Sequence, residues 1–174
     1  MTPFKPHAFA ELPAIFHNRQ TWDGFNNPSL IIENAQLKKE LGLKNIDSQA
    51  LLDIFNGVLP IEDLKPLSMA YAGHQFGQYV EQLGDGRGLL LGEIDSPDGL
   101  IDIHLKGAGK TPYSRFGDGR AVLRSVIREY LCGEAMHALS IPTSRALMSI
   151  GSDEVVIREK SETAAMLART AKTD

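Results

Sequence analysis

The stretch from Leu83 to Glu129 constrains this chain more than any other part of it. A glycine-rich segment, LGDGRGLLLGEI, leads into IDIHLKG, which carries Lys106, and then into AVLRSVIREYL, which carries Glu129. Leu89–Leu91 and Ile101–Leu105 read as two strands, because apolar and β-branched residues flank the strong turn chemistry of SPDG. The second strand alternates: Ile101, Ile103 and Leu105 share one face, and Asp102, His104 and Lys106 share the other. Lys106 therefore ends a hairpin and points away from the side covered by isoleucine and leucine. Val122, Val126 and Tyr130 recur at i, i+4, as do Ile127 and Leu131, which predicts a helix from Arg120 or Ala121 to about Leu139. Pro142 breaks away from it.

The remainder is organised around this unit. Residues 1 to about 30 hold Pro3, Pro6, Pro13 and Pro28 among scattered aromatics, and read as an irregular arm packed on a core, since free linkers lack aromatics. NAQLKKELGL predicts a short helix ended by Gly42, with Leu37 and Leu41 on one face. A second helix is expected from Ser48 to Asn56, capped by Asp47, with Leu51, Leu52 and Phe55 inward and Gly57 as its stop. Pro60 and Pro66 mark a loop. Beyond the long helix, RALMSIGSDEVVIRE reads as two short strands about a GSDE turn, and TAAMLART as a further strand or the start of a helix. Residues 1–65 thus form an arm with short helices, and residues 66–174 a nucleotide-binding unit.

Composition excludes several classes. Hydrophobic residues are 43% and charged residues 23% of the chain, which argues against disorder. A net charge of −4 supplies no field for nucleic acid or anionic membrane. No run of 18 apolar residues exists, and the N-terminus lacks the apolar core of a signal peptide, so a cytoplasmic location is the expectation. Cys132 is the only cysteine, reads as a small buried thiol within EYLCGEAMHAL, and permits no intrachain disulfide. The five histidines fall singly, with none at metal-ligand spacing.

Three features carry chemistry. Kinase-like folds hold ATP with a flexible hairpin over the phosphates, a strand lysine reaching them, and a helix glutamate orienting the lysine, in this order along the chain. Lys106 and Glu129 can meet as an ion pair if the helix packs over the hairpin; otherwise they are an ordinary surface lysine and a solvated helix charge. Gly84, Gly86 and Gly88 let backbone approach a ligand, and Arg87 adds charge there. Asp118 and Gly119 precede the helix, where N–H groups favour anions, although Asp118 also fits a plain helix cap. Arg115, Arg120, Arg124 and Arg128 gather in the same region, a local concentration that suits nucleotide phosphate better than nucleic acid. GAGKT invites a P-loop reading, but His104 stands where that motif needs glycine and Pro112 where its helix should begin, so the reading fails.

At MAYAGHQFGQY, LGDGR, LKGAGKTPYSRFGDGRAVLRSVIREYLCGEAMHALSIPTSRAL and SDEVVIRE, the chain resembles the selenoprotein O, or YdiU, family. The resemblance spans roughly residues 69 to 159. It implies an α+β, protein-kinase-like N-lobe behind an N-terminal arm, with ATP bound in a flipped orientation and AMP transferred to hydroxyl side chains of proteins. By the same resemblance, Gly84, Gly86 and Arg87 match the phosphate-contacting turn, Lys106 the strand lysine and Glu129 its helix partner. Asp118 and Gly119 match a further nucleotide-contacting pair, and Arg169 the first of two nucleotide-binding arginines. Lys110 stands where relatives carry proline. The family's catalytic-base aspartate and its Mg2+ ligands belong to a C-terminal lobe that this sequence lacks. That leaves two expectations: part of an adenylyltransferase, or an inactive module binding nucleotide or a partner chain that carries the other lobe.

Overall fold

A computed structural model describes residues 3–59, 61, 64–97 and 99–171. Strands β1 (Phe4–Lys5), β2 (His17–Arg19) and β3 (Ser29–Glu33) precede helices α1 (Ala35–Glu40) and α2 (Ser48–Phe55). Strands β4 (Leu67–Gln75), β5 (Gln78–Gly84), β6 (Gly88–Ser96), β7 (Gly99–Lys106) and β8 (Ala121–Val122) follow. Helix α3 (Leu123–Ala138) and strands β9 (Ala146–Ile157) and β10 (Ser161–Ala171) complete the chain. The strands join one sheet in the order β2-β4-β6-β7-β10-β9-β3, with β1 beside β6, β5 beside β4 and β8 beside β10. Every pairing is antiparallel. This mixed α/β architecture, one large antiparallel sheet with three α-helices among the described residues, is compatible with a kinase-like N-lobe.

The short helices form where the sequence placed them. The Asn34 side chain accepts the Leu37 N–H at the start of α1, and Asp47 accepts from Gln49 and Ala50 at the start of α2. Leu51, Leu52, Ile54 and Phe55 of α2 are buried against Phe4, Phe25, Leu91 and Ile103 in the main core. The first 33 residues are less irregular than their prolines suggest, because β1, β2 and β3 add to strands of the later sheet.

Three expectations are corrected. Strand β9 runs unbroken through Gly151, so GSDE is not a turn. Gly151 pairs with Ser29 on one side and Ala165 on the other, and a Cβ there would lie 2.8 Å from Ile31 Cδ1, so it serves close packing within a ladder. Helix α3 begins at Leu123, because Ala121 and Val122 are drawn into the sheet opposite Ala165 and Ala164. Cys132 is exposed, not buried: α3 buries Val126 against β9 and β10 and Gly133 near the Ser144 carbonyl, and turns Leu131 and Cys132 outward. TAAMLART resolves as strand, within β10. Pro60 and Asp98, of the predicted loop and turn, lie outside the described residues. No described helix is long and apolar enough to cross a membrane.

Candidate functional site

Lys106 is the last residue of β7, where it stands opposite Gly88 of β6 and Leu167 of β10. Both faces of this central strand are covered, and Asp102 and His104, on the same face as Lys106, are buried as well. Helix α3 crosses the sheet so that Glu129 ion-pairs with Lys106. The second Glu129 oxygen accepts from Arg169 Nη1 of β10 at 2.6 Å. One carboxylate therefore holds two cations. Burial pushes the Glu129 carboxyl up, but the Lys106 hydrogen bond and the Arg169 charge outweigh it and hold the group below the usual glutamate range.

Beside this node opens a cleft of about 790 Å³. Gly84, Gly86, Arg87, Lys106, Asp118, Gly119 and Arg169 all line it, so seven of the eight sequence-predicted site residues share one cavity. Glu129, the eighth, reaches it through its two cationic partners. The glycine-rich turn between β5 and β6 is propped from the loop before α3: Thr111 Oγ1 donates to the Asp85 carbonyl at 2.7 Å, and Ser114 Oγ to the Gly86 carbonyl at 2.6 Å. This gives the TPYS string its physical role. Gly84 is required because a Cβ there would overlap the Tyr113 ring and lie 2.8 Å from the Met69 carbonyl oxygen. Gly119 sits at φ +74°, a conformation L side chains avoid, with its Cα packed on the Gly109 backbone.

Asp118 does not cap α3, whose N-terminus carries no side-chain cap. Its carboxylate accepts a two-point fork from Arg158, Nη1 to Oδ2 at 2.7 Å and Nη2 to Oδ1 at 2.8 Å, and also the Arg120 N–H. The Arg158 hydrogen bonds hold its carboxyl below the usual aspartate range. Arg158 lines the cleft and is a residue the sequence reading missed; its place at the end of β9 was hidden by the predicted GSDE turn. Tyr71, also in the lining, has a hydroxyl pushed up by burial and by the Asp85 charge. Of the predicted arginine cluster, Arg115 and Arg120 line the cleft, Arg120 pairing with Glu154 and stacking 4.6 Å from the Phe25 ring centroid, whereas Arg124 pairs with Glu162 outside the lining. Arg115 donates to Gln75, tying the loop before α3 to the β4–β5 hairpin.

A second group of titratable residues lies apart, where His7 Nε2 is 2.8 Å from Asp102 Oδ1 and 3.5 Å from Glu93 Oε1. Its spacing could hold a metal ion. The His7 Nδ1 atom accepts the Phe9 N–H at 2.7 Å, which puts the ring proton on Nε2, aimed at the carboxylates. Glu93 also accepts the Ala8 N–H. The hydrogen bonds make this a clasp holding the N-terminal arm to β6 and β7.

A glycine-rich turn and six basic side chains, Arg87, Lys106, Arg115, Arg120, Arg158 and Arg169, around one open cleft, with both lining carboxylates already engaged, suit a polyanionic ligand such as a chain of phosphates. The sequence profile described as Protein adenylyltransferase SelO matches residues 2–174, and the chain belongs to that family. It is 52% identical over 168 residues to the Protein nucleotidyltransferase YdiU of Vibrio parahaemolyticus, covering 96% of this chain and 34% of that protein. The protein of the same name from Thioalkalivibrio sulfidiphilus is 49% identical over 168 residues, covering 95% and 34%. That from Aeromonas hydrophila is 57% identical over 145 residues, covering 83% and 30%. The chain spans about a third of the length of these curated relatives.

Proposed function

We propose that this chain is the nucleotide-binding part of a protein adenylyltransferase that moves AMP from ATP to Ser, Thr or Tyr hydroxyls of other proteins. The observation that carries the reading is the convergence of Lys106 and Arg169 on Glu129 at the wall of a cleft roofed by the glycine-rich turn. Lys106 would hold the α- and β-phosphate region as a point charge, kept in place by Glu129. Arg87 and Arg169 would seat the remaining phosphates in a flipped pose. In the transfer, the target hydroxyl oxygen bonds to the α-phosphorus while the bond to the β-phosphate bridging oxygen breaks. Pyrophosphate leaves, and the hydroxyl proton passes to a base.

The basic lining supports a triphosphate, whereas its described carboxylates offer magnesium no free ligand. Of the described carboxylates lining it, Asp118 is filled by Arg158, and Asp85 accepts the Met69 N–H and faces His104. Base and metal ligands belong, in this reading, to the part of the family protein outside this chain. The same observation favours a second reading, a nucleotide-binding module that works with a separate chain carrying the other lobe. A cytoplasmic setting, with ATP and protein substrates at hand, belongs to both.

Calorimetric titration with ATP tests both readings, and Lys106→Ala should abolish binding. In a full-length protein of the family carrying this segment, label from the α-phosphate of ATP should appear on the target protein, and Lys106→Ala should remove it. Label arriving only from the γ-phosphate would mean phosphorylation and overturn the adenylyl-transfer reading. ATP binding unchanged in Lys106→Ala would overturn the site.

A further inference from the structure

His104 has no part in the site as derived so far, yet it lies at its centre. It sits on β7 two residues before Lys106, is 95% buried, and lines the cleft. Its Nε2 atom faces Asp85 Oδ2 at 3.7 Å, and Asp85 belongs to the glycine-rich turn. The ring also explains Gly88: a Cβ there would lie 2.6 Å from His104 Cε1 and 2.7 Å from Nε2. The turn is therefore shaped around this imidazole.

On its other side His104 stands directly opposite Arg169 of β10, and cross-strand partners project to the same face. Among the described residues, four buried side-chain polar atoms lack a hydrogen-bond partner, and two of them are His104 Nδ1 and Arg169 Nε. With the ring proton on Nε2, toward Asp85, Nδ1 is an acceptor; Arg169 Nε is a donor. A complementary pair is thus left unmade on facing residues. Buried groups are rarely left so, and such an exception calls for an explanation. Arg169 Nη1 is meanwhile drawn to Glu129. Other charged groups on this face are Lys106 and Asp102, along β7, Glu129, which Arg169 holds, and Asp85, from the turn.

We propose that His104 is a positioning residue linking the glycine-rich turn to Arg169, and that its bond to Arg169 closes when phosphates occupy the cleft. An anion draws the Arg169 guanidinium off Glu129, the side chain pivots, and Nε–H meets His104 Nδ1. His104 then faces Asp85 of the turn on one side and holds Arg169 through a hydrogen bond on the other, fixing the turn and the arginine relative to each other. This inference rests on the nucleotide-binding reading above and adds a residue to it.

The test is titration of this chain with ATP and with adenosine. His104→Phe keeps the ring shape and removes both nitrogens; it should weaken ATP about tenfold, the scale of one hydrogen bond, and leave adenosine unchanged. His104→Asn, whose Oδ1 can stand where Nδ1 stood, should recover part of the loss. In an Arg169→Lys background, which has no Nε, His104→Phe should cost nothing further. In the wild-type protein, the 15N resonance of His104 Nδ1 should move on ATP addition in the direction of an atom accepting a hydrogen bond, a readout that needs no variant. The proposal is overturned if that resonance stays put while ATP binds, if adenosine weakens as much as ATP, or if the effect persists with Arg169→Lys. Wild-type protein that binds no ATP would instead remove the underlying reading, and this one with it.

Discussion

Replacing Glu129 with glutamine should destabilise the protein by about 2 kcal/mol, a figure that follows from its two cationic partners. In the wild type, Glu129 takes one charge-assisted hydrogen bond from Lys106 and one from Arg169, with all three side chains about a quarter exposed. A hydrogen bond to a charged group contributes about 1.5–3 kcal/mol, and partial exposure screens both. The amide can still accept from one cation but no longer separates two like charges. At about 5 Å and an effective dielectric near 20, these repel by about 3 kcal/mol, and movement of the two side chains into solvent relieves part of that. The net loss corresponds to a Tm lower by about 4–8 °C for a chain of this length. The pH dependence gives the sharper check. The Glu129 carboxyl is held below its ordinary range, so its contribution is fully present above the unfolded glutamate value and is lost as pH falls through the folded one. Thermal melts followed by circular dichroism should therefore show a gap between wild type and Glu129→Gln at neutral pH that closes on the acid side. Equal melting temperatures at neutral pH, or a gap that widens in acid, would refute the argument.

Arg145, the residue before β9, is buried and holds Glu134 through a two-point fork and Glu40 through a third bond, joining α3 and α1 to the sheet. Arg145→Met should cost about 3 kcal/mol by leaving Glu134 without its cation, and chemical denaturation with an unchanged m-value would show it. Arg158→Met should let the Asp118 carboxyl rise toward its ordinary range, measured by carbon-detected NMR titration, and an unmoved midpoint would contradict the fork. Cys132, on the outer face of α3, should react with a maleimide in the native protein; labelling only after denaturation would contradict its exposure.

What the sequence disclosed depended on the range of the interactions involved. Asp47 and Asn34 announce their helices through side-chain bonds two or three residues away, and α1 and α2 were legible for that reason. Alternation along Ile101–Lys106 put Lys106 and His104 on one face, and the structure keeps them there. Cys132 was misjudged because residue type says nothing about which side of α3 meets the sheet. The β4–β5 hairpin, with Phe76 and Gly77 at positive φ in its turn, was hidden in a glycine-rich stretch that lacks a β-branched run. The fork from Arg158 to Asp118 joins residues 40 apart, and no local pattern signals it. Glycine had two uses that composition cannot separate, turn-making at Gly77 and close approach to a neighbour at Gly84 and Gly151.

The pairing of β3 with β9 bears on how the chain emerges from the ribosome. Leu30 and Glu33 find their partners in Ile150 and Met148, which lie far downstream in the sequence. At elongation rates of about 5–20 residues per second, β3 waits for roughly ten seconds with its hydrogen-bonding edge unpaired. The hairpin β6–β7 can pair within that interval while β7 still awaits β10, so the nascent chain carries a paired hairpin and an unpaired rim strand. Factors that shield extended segments during synthesis would act on this strand, and the yield of folded protein would hinge on them more than on the stability of the completed sheet.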